Sequence, residues 1–387
     1  MLPRTVWHEH AGLAFLIACL GDASTTRIVG GAVRDGLLGL AVSDIDLATV
    51  LTPDAVLERL AGVGIKAVPT GIAHGTVTAV TTGGPVEITT LRRDVATDGR
   101  HATVAFGTDW RADAARRDFT INALYADPAT GEVSDWFEGL ADLAARRVRF
   151  IGDPATRIAE DHLRILRFFR FHARFGSGAP DAAGYAACVA RANDLMALSR
   201  ERIAQELLKL LAVAEPAAAV RAMLDGGVLR PVLPEITECA ALERLIAREV
   251  EFGVTGDPVR RLAALLPPER ATGIDVAARL RLSTAQSKRL ASVAARPTGT
   301  PGALAYRLGT TGATDALLLG EGSAPDLAEV AAFERPTLPI KGGALIARGL
   351  TPGPAVAQTL ARIDAAWVAS GFPTGAAFEA IVAAHLR

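Results

Sequence analysis

The pattern of apolar and polar positions changes character about two-fifths of the way along the chain. Early on, "TRIV" (26–29) is a β-branched run that ends in Gly30-Gly31, and the spacing of Val33, Leu37 and Leu38 beyond it predicts a helix opening near Ala32. The segments "SDIDLATV", "GTVTAVTT" and "PVEITTLRRD" alternate or carry β-branched residues and predict strands, so residues 1–150 are expected to form a mixed sheet with a few helices. From Pro154 onward the strand signal fades into leucine- and alanine-rich helical spacing, as in "ATRIAEDHLRILRFFRFHARF" and "SRERIAQELLKLLAV". Gly and Pro breaks near 176–180, 225–234, 253–258 and 267–268 cut this region into helices of ordinary length. The alanine-rich stretch beyond about 290, with "RPTGTPG" as a loop, continues it. The expected architecture is an α/β head (1–150) followed by helical regions over 151–215 and 216–387.

At 387 residues, half of them hydrophobic, the chain has enough apolar surface for two or three packed units. Its 41 basic side chains nearly cancel 42 acidic ones, so any surface for nucleic acid has to be local. Cys19, Cys188 and Cys239 are scattered without CxxC spacing, which argues against a disulfide framework or a zinc site and fits a reducing cytoplasm. The apolar run "LAFLIACLG" lacks a basic leader and is too short to span a bilayer; it reads as a core helix, and no membrane association is expected.

The chemistry begins at the glycines. A strand ending in Gly30-Gly31 and feeding a helix exposes backbone N–H groups beside the positive end of the helix dipole, which suits phosphate, although a plain strand-to-helix turn has the same look. Downstream, Asp44 and Asp46 flank one apolar residue on a predicted strand, so period-2 geometry points both carboxylates to one face. Paired carboxylates repel, and a hard cation such as Mg²⁺ relieves the repulsion. Glu87, on another predicted strand, is a candidate third oxygen ligand or an exposed strand glutamate.

A second cluster, "ARRDFTINALYAD", sets Arg116, Arg117, Asp118 and Asn122 around a short apolar core. Arginine binds phosphate oxygens bidentately, and aspartate or asparagine orients it or touches a ribose hydroxyl; Asp118 also reads as a helix cap with Thr120 to Leu124 packed inside. In the third cluster, treated as one helix, Arg157, Glu160, Asp161, Arg164, Arg167, Arg170 and Arg174 share half the wheel, opposite Ile165, Leu166, Phe169 and Ala173. Five arginines against two acids leave an excess of positive charge, and Asp161 and Arg164 form an acceptor and donor pair able to read the edge of a base. A solvated, salt-bridged face is the plain alternative. Between Arg93 and Phe106 a polar stretch with Asp-Gly reads as a flexible loop, and His74 as a strand cap in preference to a ligand contact.

In this order the motifs "GGAVRDGLLG…SDIDLAT", "GIAHGTVT", "EITTLRRD…DGRH", "RRDFTINALYAD", "DWFEGLADL", "EDHLRILRFFRF" and "SRERIAQELLKLL", over residues 25–212, resemble those of the class II tRNA nucleotidyltransferases. These are the CCA-adding enzymes and their bacterial poly(A) polymerase relatives, within the polymerase-beta-like nucleotidyltransferase superfamily. The resemblance implies that Asp44 and Asp46 hold catalytic Mg²⁺, that Gly31, Arg34 and Arg117 bind the nucleotide, and that Asp161 and Arg164 select CTP and then ATP, with Arg167 and Arg170 close by. It further implies attack of the tRNA 3′-hydroxyl on the α-phosphorus with release of pyrophosphate, links the "DGRH" element to the switch from C to A addition, and makes 151–215 a neck with the nucleotide-selecting helix and 216–387 a body and tail that grip the tRNA. The chain departs from the family pattern at Leu40-Ala41-Val42 and at Gly36, and no His-Asp pair marks a fused phosphohydrolase domain.

CCA addition to tRNA is therefore the leading expectation, with no stable protein partner implied. Poly(A) addition and A-only addition are the near alternatives; the near-neutral charge and the "GIAHGTVT" segment argue for the tRNA enzyme. A non-catalytic RNA-binding protein using the arginine-rich helix is the remote one.

Overall fold

A strand such as Thr26–Val29 (β1), in which every side chain but that of Arg27 is buried, belongs inside a sheet rather than at its edge. The computed structural model describes residues 1–3, 10–42, 44–98 and 101–386. These fall into two compact units, Met1–Leu210 with Ala218–Val232, and Leu211–Ala217 with Leu233–Arg387.

The first unit is built on a seven-stranded mixed sheet. Its strands after β1 are β2 (Asp46–Thr49), β3 (Lys66–Gly71), β4 (Thr76–Thr81), β5 (Gly84–Thr90), β8 (Leu124–Ala126) and β9 (Val133–Asp135), while β6 (Arg92–Asp98) and β7 (His101–Phe106) form a separate pair. The order is β3-β4-β5-β2-β1-β8-β9, and β2 with β5 is its one parallel pairing; the rest are antiparallel. Around it lie α1 (Leu13–Leu20), α2 (Gly31–Leu37), α3 (Pro53–Gly62), α4 (Trp110–Ala115) and α5 (Gly139–Ala144). The apolar run read as a core helix is α1, with Leu13, Leu16, Ile17 and Leu20 buried. Caps set several starts: the Thr52 hydroxyl accepts from Ala55 N–H before Pro53, and Asp109 accepts from Arg111 and Ala112 N–H at 2.9 and 3.1 Å.

Four helices complete this unit as α6 (Pro154–Glu160), α7 (Arg164–Phe175), α8 (Ala182–Ala190) and α9 (Arg200–Leu211), followed by α10 (Ala217–Asp225). Phe168 of α7 stacks on Phe150 at 5.5 Å, and Phe119 packs 5.0 Å from Phe150 and 5.1 Å from Phe171, so α7 is seated on these aromatic residues.

Three expectations are corrected. The single helix expected through "RIAEDHLRILRFFRF" is two, because Asp161 has extended backbone (φ −152°, ψ 106°) between α6 and α7. Asp44 precedes β2 rather than lying on it; the strand begins at Asp46, although Asp44 exposed, Ile45 buried and Asp46 half-buried keep the alternation of an extended chain. The stretch expected as a flexible loop is the β6–β7 hairpin, paired from Arg92↔Phe106 to Asp98↔His101. Asp-Gly is as much a hairpin turn signal as a loop signal, and Val95, Thr97, Thr103 and Val104 favour strands. Gly99 and Arg100 lie outside the described residues.

The second unit is helical among its described residues: α11 (Ala240–Glu251), α12 (Pro258–Leu265), α13 (Arg270–Arg279), α14 (Thr284–Ala294), α15 (Pro301–Leu319), α16 (Ala324–Ala331), α17 (Gly342–Ala347), α18 (Pro354–Ala369) and α19 (Gly375–His385). Its helices are pinned by a buried ionic cluster. Asp315 accepts from Arg260 Nε at 3.0 Å and Arg289 Nε at 2.6 Å, and Glu249 accepts from Arg261 Nε at 2.8 Å. Trp367, Ile363 and Phe378 centre a hydrophobic cluster near the end of the chain. Among the described residues no helix is long and apolar enough to cross a membrane.

Candidate active site

The acidic residues converge because of strand register. Asp46 on β2 pairs with Glu87 on β5, and registered partners of a parallel pair carry their side chains on one face, about 5 Å apart. The pKa of Asp46 is raised: burial is the main cause, the negative charge of Glu87 adds to it, Arg117 opposes it, and Asp44 adds a further push. Among the described residues no three His, Cys, Asp or Glu side chains form a ready-made metal cage. Mg²⁺ does not need one, since it keeps several waters and is held by one or two carboxylates together with substrate phosphates. The donor set of Asp44, Asp46 and Glu87, all hard oxygens, fits such a cation.

Beside the carboxylates lies the glycine turn. Gly30 has φ 70° and ψ −121°, a conformation that a side chain resists, and its N–H donates to Leu124 C=O at 3.0 Å. A Cβ here would stand 3.1 Å from Arg117 Nη1, so the missing side chain is what lets the Arg117 guanidinium lie over the turn. Arg117 is held there by Tyr125, whose hydroxyl accepts from Nε at 3.0 Å, and by Asp113 at 3.6 Å. Gly31 opens α2, and Arg34 Nη2 lies 3.6 Å from where a Gly31 Cβ would be.

Arg34 is buried beneath the turn, its guanidinium 4.0 Å from the ring centre of Phe175. It donates to Asp35 at 2.8 Å and to the Asn122 side-chain oxygen; burial lowers its pKa, and Asp35 partly restores it. Asn122 in turn donates to Asp118 at 2.9 Å, and Arg167 Nε donates to Asp118 at 2.8 Å. Burial opposes ionisation of Asp118, but the Arg167 guanidinium, with hydrogen bonds from Asn122 and Phe119 N–H, holds its pKa below the ordinary value. Asp118 therefore links Asn122, the partner of Arg34, to Arg167 of α7; the cap expected of it becomes a bond to the N–H of the next residue.

The basic face of α6 and α7 is not bare charge. Arg157 and Arg164 both donate to Glu160, Arg167 to Asp118, Arg170 to Glu206 at 2.6 Å, and Arg174 approaches Asp35 at 3.4 Å. Three of these acids, Asp118, Glu206 and Asp35, come from other elements, which corrects the excess inferred from the helix alone. Asp161 accepts from Arg202 of α9. His74 is exposed at the turn before β4, where its C=O accepts from Arg92.

Comparison with known proteins gives this arrangement its relatives. Residues 26–149 match the family model described as "Poly A polymerase head domain", and residues 182–239 match "Probable RNA and SrmB- binding site of polymerase A". Mouse (Mus musculus) mitochondrial CCA tRNA nucleotidyltransferase 1 is 41% identical over 243 residues, 62% of this chain and 55% of that protein. The CCA-adding enzyme of Latilactobacillus sakei is 38% identical over 225 residues, 58% of this chain and 55% of that enzyme. The crystal structure of the Bacillus stearothermophilus CCA-adding enzyme in complex with CTP aligns with a TM-score of 0.76 at 26% identity, covering 96% of this chain and 94% of that one. Residues 26–149 are thus similar to the poly(A) polymerase head domain, and the chain is similar in fold to the CCA-adding enzymes. It spans about half the length of the curated relatives it matches.

The match to the family's head domain takes in the glycine turn, Asp44, Asp46, Glu87, Arg117, Asp118 and Asn122, whereas Asp161, Arg164, Arg167 and Arg170 fall between the two matched stretches. Sequence reasoning missed Asp113, Arg202 and Glu206. Asp113 is buried and accepts from the Tyr125 hydroxyl, Arg116 Nε and Arg92 N–H. The i, i+4 spacing of Arg202 and Glu206 in "SRERIAQE" was the available signal for a polar face on α9.

Proposed function

We propose that this chain adds CCA to the 3′ end of tRNA, using CTP and then ATP without a nucleic-acid template and releasing pyrophosphate. The observation that carries the reading is Asp46 in register with Glu87, its carboxyl pushed up by burial and by its acidic neighbours, beside a glycine turn over which Arg117 lies. Nucleotidyl transfer needs that combination: hard oxygen ligands next to a cradle for a triphosphate. The names of the curated relatives support the same activity.

In this reading Asp44 and Asp46 hold Mg²⁺, with Glu87 as a further oxygen donor. When bound, the metal activates the tRNA 3′-hydroxyl and neutralises charge on the departing pyrophosphate. The Gly30 and Gly31 backbone and the Arg117 guanidinium receive the triphosphate. Arg34, buried with Asp35 and Asn122, adds positive charge from beneath the turn, and Asp118 orients Arg167. Asp161 and Arg164 present an acceptor and a donor to the edge of the base, flanked by Arg167 and Arg170. The helical region beyond 216 grips the tRNA. Cytoplasmic location belongs to the same reading.

The test is the double variant Asp44→Ala/Asp46→Ala. Nucleotide incorporation into tRNA is expected to fall by about 10³-fold or more, the scale of removing charge stabilisation from a transition state, while tRNA affinity stays within a few-fold. Incorporation that survives the double substitution contradicts the reading and favours a binding protein.

A further inference from the structure

Asp161, one member of the base-reading pair, is held by a neighbouring helix. On α9, Arg202 and Glu206 stand one turn apart on one face, and they reach the break before α7 and α7 itself. Arg202 Nη2 donates to both oxygens of Asp161, at 3.1 Å to Oδ1 and 2.9 Å to Oδ2. Glu206, 4% exposed, accepts from Arg170 at 2.6 Å and lies 3.9 Å from Arg167. Asp161 sits on extended backbone between two helices, so helical packing does not fix its side chain. The other hydrogen bond its carboxylate accepts comes from Leu163 N–H at 3.1 Å, on Oδ1.

An ionised carboxylate offers about four acceptor positions. Three are filled here, two on Oδ1 and one on Oδ2, which leaves Oδ2 able to accept once more. We propose that Arg202 is a specificity-determining positioning residue, which fixes the Asp161 carboxylate so that Oδ2 is presented to the exocyclic amine of cytosine or adenine. The inference rests on Asp161 being the base-reading acceptor, as given under Proposed function. Cytosine and adenine place an N–H donor at that edge, whereas uracil and guanine place a carbonyl oxygen there, which a fixed carboxylate repels. An untethered Asp161 turns away from that oxygen and the discrimination falls. The triphosphate is bound elsewhere, at the Gly30 turn, so its affinity does not depend on Arg202.

The experiment compares wild type, Arg202→Gln and Arg202→Lys on tRNA substrates ending before the first C and before the A. It measures kcat/KM for CTP, UTP, ATP and GTP, inhibition by pyrophosphate, and thermal unfolding. Arg202→Gln is expected to lower the CTP/UTP and ATP/GTP ratios by roughly tenfold or more, the effect of one hydrogen bond to a charged group, with Arg202→Lys in between and pyrophosphate inhibition changed by less than about twofold. Unchanged ratios in a folded variant overturn the proposal, as does an equal loss of pyrophosphate inhibition, which signals general distortion. Where Arg202→Gln does not fold, the ratios of Arg202→Lys decide by the same criterion. A wild-type chain that incorporates no nucleotide defeats the reading of the whole site and this proposal with it; an active wild type with unaltered variants defeats this proposal alone.

Discussion

Asp46 and Glu87 face one another across the one parallel strand pair of the seven-stranded sheet, and the charge of Glu87 helps to raise the Asp46 pKa. A carboxyl with a raised pKa in the folded state loses stability as pH rises and it ionises, because the folded protein holds its proton more tightly than the unfolded chain does. Asp46→Asn is therefore expected to raise the unfolding temperature near neutral pH in the presence of a chelator. The same substitution removes turnover by about 10²-fold or more and abolishes the stabilisation that added Mg²⁺ gives the wild type. Thermal scans with and without Mg²⁺ and single-turnover assays check both outcomes.

Gly30 carries the second prediction. Its positive φ and the 3.1 Å approach of Arg117 Nη1 leave no room for a methyl group without strain and displacement of the guanidinium. Gly30→Ala should cost about 1–3 kcal/mol of stability and raise KM for CTP and ATP. Denaturant unfolding and steady-state kinetics measure the two effects.

Asp118 provides a third, with a defined sign. Its folded pKa is depressed from 3.8, so its stabilisation is complete above the unfolded value and is lost as pH falls through the folded one. Asp118→Ala leaves Arg167 without its main partner and is expected to destabilise the protein by about 3 kcal/mol near neutral pH. Asp118→Asn should flatten the acid limb of stability below about pH 4 relative to wild type. Chemical unfolding across that range distinguishes the variants.

The helical second unit has its own test. Asp315 is fully buried and receives both Arg260 and Arg289, so Asp315→Ala takes a carboxylate from two guanidinium groups at once and leaves them Glu249 and Asp257 respectively. The expected loss is about 3–5 kcal/mol, confined to this unit. Hydrogen exchange should show faster opening of α12, α14 and α15 with protection of the β1, β2 and β5 amides unchanged.

The parts of this molecule that were legible in its sequence are those in which short-range periodicity decides the outcome. β1, β2, β4 and β5 follow from β-branched or alternating runs, α1 from its apolar stretch, and the loop before α15 from "RPTGTPG". The break at Asp161 was hidden because a helical wheel registers spacing and is blind to the φ and ψ of one residue. The partners of Arg167, Arg170 and Arg174 were hidden for a different reason: Asp118, Glu206 and Asp35 lie 49, 36 and 139 positions away, and only tertiary packing brings them together. The β6–β7 hairpin read as a loop because its Asp-Gly signal serves both.

The most direct test of the account is extension of a tRNA that ends at its discriminator base, with Mg²⁺ and labelled CTP, ATP or both, resolved at single-nucleotide resolution. The account predicts two additions with CTP alone and three with both nucleotides, ending in CCA. A single A added only to tRNA already ending in CC, a long ATP-dependent ladder, or no extension under any condition contradicts it.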